Sequence, residues 1–499
     1  MNRFYRSIWN DRTATFVAVS ELAASRGTRS STAASSAPAG ARFALKGLAA
    51  CVTFAFGANA YALPAGGAVS AGSATIAGGA GSMTVTQSTQ NAAINWQSFS
   101  IGQGEAVRFV QPNSASVALN RVLGSDPSSI LGSLSANGKV FLVNPNGILF
   151  GQGAQVNVGG LVASTLNITD GDFMAGTYRF SGGGTGAVLN QGSINAGGGY
   201  VALLGANVSN EGVITANMGT VALAAGNAVT LDVAGDGLLN VTVNEGAVNA
   251  LVRNGGLIRA NGGQVSMTAQ AAGNLLNTVV NNTGMIEAQT LESHNGTIRL
   301  AGDMQSGIVN VGGTLDVSGS GAGQTGGTVR LLGHTVNVAD ATINASGDAG
   351  GGLVLVGGNF HGAGPEQNSQ RTSIGAAATI NADAITAGDG GRIAVWSDGD
   401  TAVAGALSAR GGAGSGNGGF IETSGRHVSL AESMRVNTLA PRGNTGLWLL
   451  DPFPDHIIAT VGGDETPAQV TLSLATTNRL IVTPRDIVVV DAVTWTTPQ

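Results

Sequence analysis

The sequence predicts an all-β protein that folds as a right-handed parallel β-helix with an N-terminal cap. Three observations predict this fold: a glycine-rich yet apolar composition, a short recurring motif, and strands in which apolar and polar residues alternate. The chain has 499 residues, of which 79 are glycine, 43% are hydrophobic and 10% are charged. Many glycines among many apolar residues are typical of short strands joined by tight turns.

The recurring motif reads Asn-x-Gly-apolar-Ile-x-Ala. It occurs four times, beginning at Asn190, Asn210, Asn254 and Asn282. Such self-similarity is typical of a solenoid, in which one repeat cannot bury its apolar face alone. We expect the four asparagines to occupy the same corner of successive coils and to form a ladder of side-chain amides, which is a structural role rather than ligand binding.

A second pattern lies between the copies of this motif. Val201-x-Leu203, Val221-x-Leu223 and Ile298-x-Leu300 alternate apolar residues with other residues. A period of two predicts strands with one buried face. With a repeat near 20 residues, residues 63–451 would make roughly 17–20 coils.

Three segments depart from the repeat. Residues 63–92 are rich in glycine, serine and threonine, and we expect them to cap the first coil, because an open sheet edge needs cover. The 44 residues from Asn210 to Asn254 indicate either two coils or a protruding loop. Residues 361–373 lack the strand pattern and predict a further loop.

Residues 41–62 have the three parts of a secretory signal peptide. A positive region precedes an apolar core at 47–56, and Ala60 and Ala62 are small residues at the spacing of a cleavage site. We expect cleavage before Leu63. No later stretch has the length and apolarity of a transmembrane helix, so we expect none in the mature chain.

Charge is distributed unevenly along the chain. The net charge is −6, and residues 1–62 carry seven basic and two acidic side chains, so this segment has a charge of +5 and the remainder −11. An acidic remainder with one lysine, Lys139, argues against nucleic-acid binding. The single cysteine, Cys51, lies in the signal peptide. A chain exported unfolded should avoid early disulfides, although chance also explains one cysteine.

The sequence offers no candidate for catalysis or for metal binding. The five histidines are not paired at ligand spacing, and the mature chain has no cysteine, so we predict no metal site. The glycine-rich run at 411–419 lacks the strand–loop–helix context of a phosphate loop. Acidic residues are scattered, whereas polysaccharide-cleaving enzymes need clustered carboxylates. We therefore predict no enzyme activity and no cofactor.

The most informative motif is Asn144-Pro145-Asn146-Gly147-Ile148. It lies between two strand-like apolar runs. Pro145 fixes its φ near −65°, Asn146 tolerates a left-handed φ and Gly147 adopts one freely. The Asn144 side chain can bond the backbone two residues on. The motif therefore predicts a sharp β-turn between two buried strands.

Further elements surround this motif in residues 91–165. They are Ile94-Asn95-Trp96, Phe99-x-Ile101, Asn120-Arg121-Val122, Asn137-Gly138 and Leu161–Thr165. Together they resemble the haemagglutination-activity, or TPS, domain of two-partner-secretion exoproteins, such as filamentous haemagglutinin and, more closely, the high-molecular-weight adhesins. Filamentous haemagglutinin has an additional NPNL motif upstream, where this sequence has only residues 111–114 (QPNS).

The resemblance implies a partner and a secretion motif. The partner is a TpsB-type outer-membrane transporter with periplasmic POTRA domains. The secretion motif comprises Asn120 and residues 144–148, with recognition by the partner as an additional role. Residues 1–40 resemble the extended signal-peptide region of the same exoproteins, which slows inner-membrane export; a misassigned start codon is the alternative.

These observations divide the chain into five segments. They are an extended signal region at 1–40, a signal peptide at 41–62, a TPS domain at 63–310, further coils at 311–452 that resemble an adhesin pro-region, and the start of a following repeat region at 453–499, which we expect to be truncated. The whole implies a protein that is secreted or exposed on the bacterial surface, reached through the periplasm.

The resemblance favours an adhesin that binds a host receptor or glycan. Two alternatives share the same N-terminal half: an exoprotein that binds a haem carrier such as haemopexin, and the stalk of a contact-dependent toxin or haemolysin. Sequence beyond residue 499 would discriminate between them.

Overall fold

A computed structural model describes residues 5–10, 15–20 and 63–494, except 185, 234–237, 274–277 and 454. The chain forms two compact units, Met1–Ala58 and Asn59–Gln499. In the first unit, β1 (Tyr5–Asn10) pairs with β2 (Thr15–Ser20) as an antiparallel hairpin.

The second unit is a right-handed parallel β-helix, so the predicted fold class is confirmed. Each regular coil contributes one strand to each of three sheets, named sheets I, II and III in chain order. Every strand pairs in parallel with the equivalent strands of the neighbouring coils, about 4.8 Å away. Each side chain therefore lies above the equivalent side chain of the preceding coil.

The three sheets share four long strands, each of which turns a corner and joins two sheets. Sheet I contains β6 (Asn91–Trp96), β8 (Val117–Val122), β11 (Lys139–Val143), β14 (Gly160–Ser164), β18 (Tyr200–Gly205), β21 (Thr220–Ala225), β26 (Gln264–Ala269), β29 (Thr297–Ala301), β31 (Thr328–Leu332), β33 (Leu353–Val356), the first parts of β36 (Arg392–Val403) and β38 (Phe420–Leu430), β40 (Leu447–Pro452) and β42 (Asn478–Ile481). Sheet II contains β9 (Ser128–Ile130), β12 (Ile148–Phe150), β16 (Ala187–Asn190), β19 (Asn207–Asn210), β24 (Leu251–Asn254), β27 (Val279–Asn282), the first parts of β30 (Ile308–Asp316) and β32 (Thr335–Asn344), β34 (Arg371–Ile374) and the second parts of β36 and β38. Sheet III contains β5 (Ser82–Gln87), β7 (Ala106–Val110), β10 (Ser133–Ala136), β13 (Gln155–Asn157), β17 (Ser193–Asn195), β20 (Val213–Thr215), β25 (Leu257–Arg259), β28 (Met285–Glu287), the second parts of β30 and β32, β35 (Thr379–Asn381), β37 (Ala406–Ser408) and β39 (Arg435–Asn437).

The core is built from columns of like residues, one from each coil. The isoleucine of the recurring motif forms one column in sheet III, and all four copies are fully buried: Ile194, Ile214, Ile258 and Ile286. The stacked side chains remove apolar surface from water along the whole rod, at about 25 cal/mol per Å².

The glycine of the same motif is required by close approach between coils. A Cβ atom at Gly212, Gly256 or Gly284 would lie 2.1–2.2 Å from the carbonyl oxygen of the glycine one coil earlier. No side chain fits at that distance, because real Cβ atoms do not approach so closely. In sequence order, the motif thus supplies the asparagine at the corner, the glycine at which two coils approach closely, and the isoleucine of the core.

The first coil is capped as the sequence predicts. β3 (Ala68–Ala71) pairs antiparallel with β6, and β4 (Ala74–Gly79) pairs antiparallel with β5. The polarity of pairing therefore reverses at this end of the parallel sheets, where the cap covers the free edge of the first coil.

Two insertions at the corner between sheets I and II cover the outer face of sheet I. They contain α1 (Asp170–Met174), β15 (Tyr178–Ser181), β22 (Ala228–Val233) and β23 (Leu239–Glu245), of which the three strands form an antiparallel sheet. We call these elements the outer cover. The 44-residue spacing between motif copies is thus a protruding hairpin, not two coils.

The cover changes the expected alternation in part of sheet I. Val201 and Leu203 face the core as predicted, but Ala202 and Leu204 are also buried, because they pack beneath the outer cover. Single-face burial returns in the later coils, as along Thr297–Ala301, where the outward Arg299 is exposed between two buried core residues. The expectation of one buried face was therefore wrong for the covered coils.

The predicted loop at 361–373 is shorter than expected. A 3-10 turn at Phe360–Gly362 begins a segment that folds over the outer face of sheet I, and β34 already starts at Arg371. Threonine and serine in β34 conceal its strand character, although Thr372 and Ile374 are buried.

The chain leaves the regular coil after β40. β42 continues sheet I, whereas β41 (His456–Ile458) and β43 (Ile487–Val489) pair with each other. α2 (Pro467–Leu474) begins with a capping box formed by Thr466 and Gln469 and lies against β39 and β42. Within the described residues, no helix has both the length and the apolarity needed to cross a bilayer.

The number of coils is lower than expected. Sheet I has fourteen strands among the described residues, against the expected 17–20 coils. The expectation assumed a uniform repeat near 20 residues, but the outer cover and the longer corners after residue 290 lengthen the coils.

The outer cover generates a prediction about stability. Phe141 faces outward on β11, and its ring lies 5.0 Å from that of Tyr178 and 5.9 Å from that of Phe173. We expect Phe141→Ala to lower the free energy of unfolding by about 3–5 kcal/mol. Ser266→Ala, in the same column but half-buried and not part of the buried cluster beneath the cover, should change it by less than about 0.5 kcal/mol. Equal effects in thermal denaturation would contradict a packed cover.

Candidate functional site

The motif at 144–148 forms the corner between β11 and β12. The Gly147 N–H donates to the Asn144 carbonyl oxygen at 3.1 Å and closes a β-turn. Gly147 has a φ of 119°, which residues with a Cβ rarely adopt. Asn146 does not have a positive φ. Of the two residues that tolerate a left-handed conformation, only Gly147 therefore adopts it. Ile148 starts β12 and is fully buried in the core.

The Asn144 side chain ties this corner to the preceding coil. It is fully buried, and its Nδ2 donates to the Asp126 carbonyl oxygen and to Ser128 Oγ, each at 3.0 Å. Its Oδ1 accepts the N–H of Asn146 at 3.0 Å. Truncation of this side chain would leave buried polar groups unsatisfied, at about 1–3 kcal/mol for each group.

The corner is also stacked between its neighbours. Asn146 Nδ2 donates to the Gly124 carbonyl oxygen at 2.9 Å in the preceding coil. In the following coil, the Gly186 N–H donates to the Pro145 carbonyl oxygen at 3.2 Å. A Cβ at Gly186 would lie 2.3 Å from the Gly147 nitrogen. Three successive coils therefore meet at this turn.

Asn120 lies inside the solenoid in the preceding coil, where its register partner is Leu142, two residues before Asn144. It is fully buried, accepts a hydrogen bond from Trp96 Nε1 at 3.0 Å, and donates to the Phe141 carbonyl oxygen at 3.3 Å. Within the described residues, none of its hydrogen bonds reaches residues 144–148. Asn120 thus lies near the sequence-predicted corner but is not hydrogen-bonded to it.

Arg121 was part of an element that carries the family resemblance but was given no role of its own, and in the structure it holds the outer cover. Its guanidinium donates to Asn95 Oδ1 and Asn167 Oδ1, each at 3.0 Å, and pairs with Asp170 at 2.8 Å. Burial opposes ionisation of Asp170, but hydrogen bonds from Ser70 and Arg121 outweigh it and lower the pKa. A lone arginine in an apolar strand was the available sequence signal.

The four motif asparagines lie one above another. Nδ2 of Asn190, Asn210 and Asn254 donates to Oδ1 of the next asparagine, and each bond is 2.7 Å long. All four side chains are fully buried. The last, Asn282, donates to the Gly312 carbonyl oxygen at 3.0 Å. The ladder thus continues across the 44-residue spacing that contains the hairpin.

The expected cleavage site falls at the start of the described solenoid. Ala60 and Ala62 lie outside the described residues, whereas Leu63 is half-buried and packs against the core of the solenoid.

Glu422 is an ionisable group that the sequence analysis missed. It is fully buried on β38 and accepts the His361 N–H at 3.1 Å and the Ser424 hydroxyl at 3.0 Å. Burial raises the pKa of Glu422, and Asp451 in the next coil raises it further, although these hydrogen bonds oppose the shift. His361 has a φ of 57°, so this bond holds a strained turn over sheet I. The partners are 61 residues apart, which hid the pair from sequence inspection.

A second buried ionic group lies at the C-terminal end. Glu465 contacts His456 Nε2 at 3.4 Å, and both of its carboxylate oxygens accept from Arg479. Burial opposes its ionisation, but these two partners outweigh burial and lower the pKa of Glu465. The Arg479 guanidinium also stacks on the Trp448 ring, 4.4 Å from its centroid.

Across the described residues, no three His, Cys, Asp or Glu side chains are placed to hold a metal ion.

Comparisons with known proteins place this geometry among secretion domains. Residues 60–317 match the family model of the TPS secretion domain, and residues 1–50 match that of the extended signal peptide of the type V secretion system. The HMW1 secretion domain from Haemophilus influenzae is similar in structure, with a TM-score of 0.68 and 32% identity. The match covers 78% of this chain and 100% of that domain.

Two curated relatives are heme/hemopexin-binding proteins of Haemophilus influenzae. They are 37% identical over 256 residues and 31% identical over 244 residues. The matches cover 49% and 44% of this chain, but only 28% and 26% of the relatives. The chain therefore matches about a quarter of the relatives' own length.

The asparagine ladder predicts a large cost for one small change. Asn210→Ala removes bonds to both neighbours and leaves buried amide groups unsatisfied, so we expect a loss of about 2–4 kcal/mol. Asn337→Ala is the control, because Asn337 also bonds both neighbouring coils, donating to Asn310 at 3.0 Å and accepting from Ser373 at 2.9 Å, but is only half-buried. It should cost less than about 1 kcal/mol. Thermal denaturation of both variants measures the difference; equal losses would argue against the ladder as a stabilising element.

The raised pKa of Glu422 predicts a pH-dependent effect of Glu422→Gln. A raised folded-state pKa means that stability is present below the ordinary carboxyl pKa and is lost as the pH rises through the folded pKa. Glutamine does not titrate, so the variant should gain melting temperature over the parent as the pH rises from 4 to 8. Glu432→Gln, at an exposed position, is the control. If the difference in melting temperature between variant and parent did not change with pH, the titration of Glu422 would not affect stability.

Proposed function

This chain belongs to the family of TPS secretion domains, and from that premise we propose that its solenoid directs export of a larger exoprotein through a TpsB-type transporter. The extended signal peptide and the TPS domain take the protein through the periplasm to the cell surface or the medium. The POTRA domains of the transporter are the proposed periplasmic contact.

The observation that carries this proposal is the corner at 144–148. Its backbone and side chains bond the coil before and the coil after, so folding of the first coils depends on it. Asn144 is fully buried in the folded coil, so its side chain is available to a partner only while the chain is still extended. We therefore propose that Asn144 acts in the folding of the exported chain. The exposed Asn146 would serve the same turn.

The proposed organisation follows the same premise. We place the secretion domain at 63–310 and further coils at 311–452, with a distinct region from 453 onward. The last boundary is supported by the described residues after β40, which add no strand to sheets II and III.

For the whole protein we propose attachment to a host surface, through a receptor or glycan. This part of the proposal rests on the resemblance of residues 91–165 to the high-molecular-weight adhesins. Binding of a haem carrier is the second candidate, because both curated relatives are named for heme/hemopexin binding. We assign the protein no catalytic activity, because the matching family and fold are those of secretion domains.

Export of Asn144→Ala tests the proposed role of the corner. We expect the variant to accumulate in the periplasm and to be nearly absent from the surface and medium, because the corner loses its bonds to Asp126 and Ser128. Immunoblots of periplasm, cell surface and medium, with the cognate transporter present, give the measurement.

Asn113→Ala is the matched control, since Asn113 also neighbours a proline in the chain but is exposed. It should be exported normally. Export of Asn144→Ala at the parental level would refute the role of the corner. A retained variant whose purified domain melts at the parental temperature would refute the folding role and leave transporter recognition.

A further inference from the structure

Six asparagines of the solenoid stand directly before a glycine. In this dipeptide an asparagine side chain can react with the backbone of the next residue, because glycine places no side chain beside the attacking nitrogen. The six are Asn137, Asn146, Asn254, Asn261, Asn295 and Asn417. They share this chemistry, so which of them reacts depends on how the fold holds each following glycine amide.

Five of the six glycine amides are held in hydrogen bonds. A nitrogen that donates to a fixed acceptor cannot turn toward the side chain before it without breaking that bond. The donors and their acceptors are Gly138 with Gln111 Oε1 at 3.0 Å, and, each with a carbonyl oxygen, Gly147 with Asn144 at 3.1 Å, Gly255 with Asn210 at 2.8 Å, Gly262 with Gln289 at 2.7 Å and Gly418 with Asn444 at 2.8 Å.

The sixth glycine amide, that of Gly296, has no acceptor among the described residues, although Gly296 is buried. In the preceding coil, the equivalent Gly263 donates to the Ala260 carbonyl oxygen at 2.9 Å. Here residues 289–295 lengthen the corner. A Cβ on Gly296 would lie 1.4 Å from the Ala288 carbonyl oxygen, so this carbonyl faces the Gly296 Cα instead of accepting its N–H. The nitrogen that would have to react is therefore not held by a hydrogen bond.

The side chain of Asn295 is also weakly restrained. Asn295 is exposed, and its Nδ2 donates to Thr325 Oγ1 at 3.2 Å. Water competes for an exposed hydrogen bond of this kind, so the bond adds little to the order of the side chain. Both reacting groups, the Gly296 nitrogen and the Asn295 side-chain carbonyl, are thus less firmly held than their counterparts at the other five sites.

We propose that Asn295 is the site at which the folded solenoid undergoes spontaneous deamidation. The Gly296 nitrogen gives its proton to a water molecule or hydroxide ion and attacks Cγ of Asn295. The new C–N bond closes a succinimide ring, and Nδ2 leaves as ammonia. Water then opens the ring at either of its carbonyl carbons, which gives isoaspartate or aspartate. One water molecule is consumed and one ammonia is released, so the reaction needs no oxidant and no enzyme.

The modification changes the corner and leaves the coils intact. Position 295 lies between β28 and β29 and belongs to neither strand. Each conversion adds one negative charge three positions after Glu292, in a chain whose charge after residue 62 is −11. The converted fraction increases with the time since folding. The proposal is independent of the proposed export, because it requires only the folded solenoid.

The test is peptide mapping by mass spectrometry of the purified secreted chain during incubation at neutral pH in water enriched in oxygen-18. Ring opening incorporates one solvent oxygen and so identifies the succinimide route. We expect Asn295 to convert about tenfold or more faster than the other five asparagines, since their glycine amides must first break a hydrogen bond within the packed solenoid. In guanidinium chloride the six should convert at similar rates, because this protection is lost.

Two variants complete the test. Asn295→Ser should abolish the acidic form that isoelectric focusing detects after incubation, and its melting temperature should stay near the parental value because the side chain is exposed. Asn113→Ser is the matched control, since Asn113 is also exposed but precedes a serine, and it should keep the acidic form.

Three results would overturn the proposal. They are conversion of another asparagine before Asn295 in the folded chain, a folded chain in which Asn295 does not react while the denatured chain does, and persistence of the acidic form in Asn295→Ser.

Discussion

The in-register stacking of coils is the constraint on which the second unit depends. Side chains in a strand alternate between faces, so a slip of one residue would turn Ile214 outward and Thr215 inward along an entire coil. The backbone bonds of the sheets would survive such a slip with little loss. The buried amide column from Asn190 to Asn282 would not, because each amide must meet its counterpart at 2.7 Å. The ladder therefore specifies register as well as adding stability.

The outer cover is possible because both of its insertions occur at corners. One lies between β14 and β16 and the other between β21 and β24, so neither interrupts a strand. The inserted segments fold back onto sheet I, and Arg121 fixes the first of them there. Burial on both faces then allows the strands beneath to become continuously apolar. The sequence of each sheet I strand, continuously apolar or alternating, thus indicates whether the cover or water lies above it.

Fold and site were predictable from sequence to different extents, for physical reasons. The isoleucine column and the asparagine corners follow from a local repeat, so one sequence displays them. The sharp turn at Gly147 follows from residue type, although Asn146 does not share its left-handed conformation. The pairing of Glu422 with His361 joins residues 61 positions apart and leaves no local pattern. The number of coils was overestimated because the lengths of the insertions do not follow from the repeat.

The continuous apolar runs of sheet I contained information that the sequence analysis did not use. Residues 200–204 have apolar side chains at every position, a pattern that signals burial on both faces. Polar outward residues return at Ser266 and Arg299, where the cover ends. A comparison of successive copies of one strand would therefore have located the cover from the sequence.

The antiparallel cap gives the rod a direction of growth. Pairing changes polarity at β3 and β4, so the parallel sheets end there, and each new coil can add only to the side that emerges later. Every coil completed outside a pore buries another layer of core that cannot pass back through in folded form. In the export that we propose, the folding of each coil would therefore oppose backward movement of the chain and favour its outward movement.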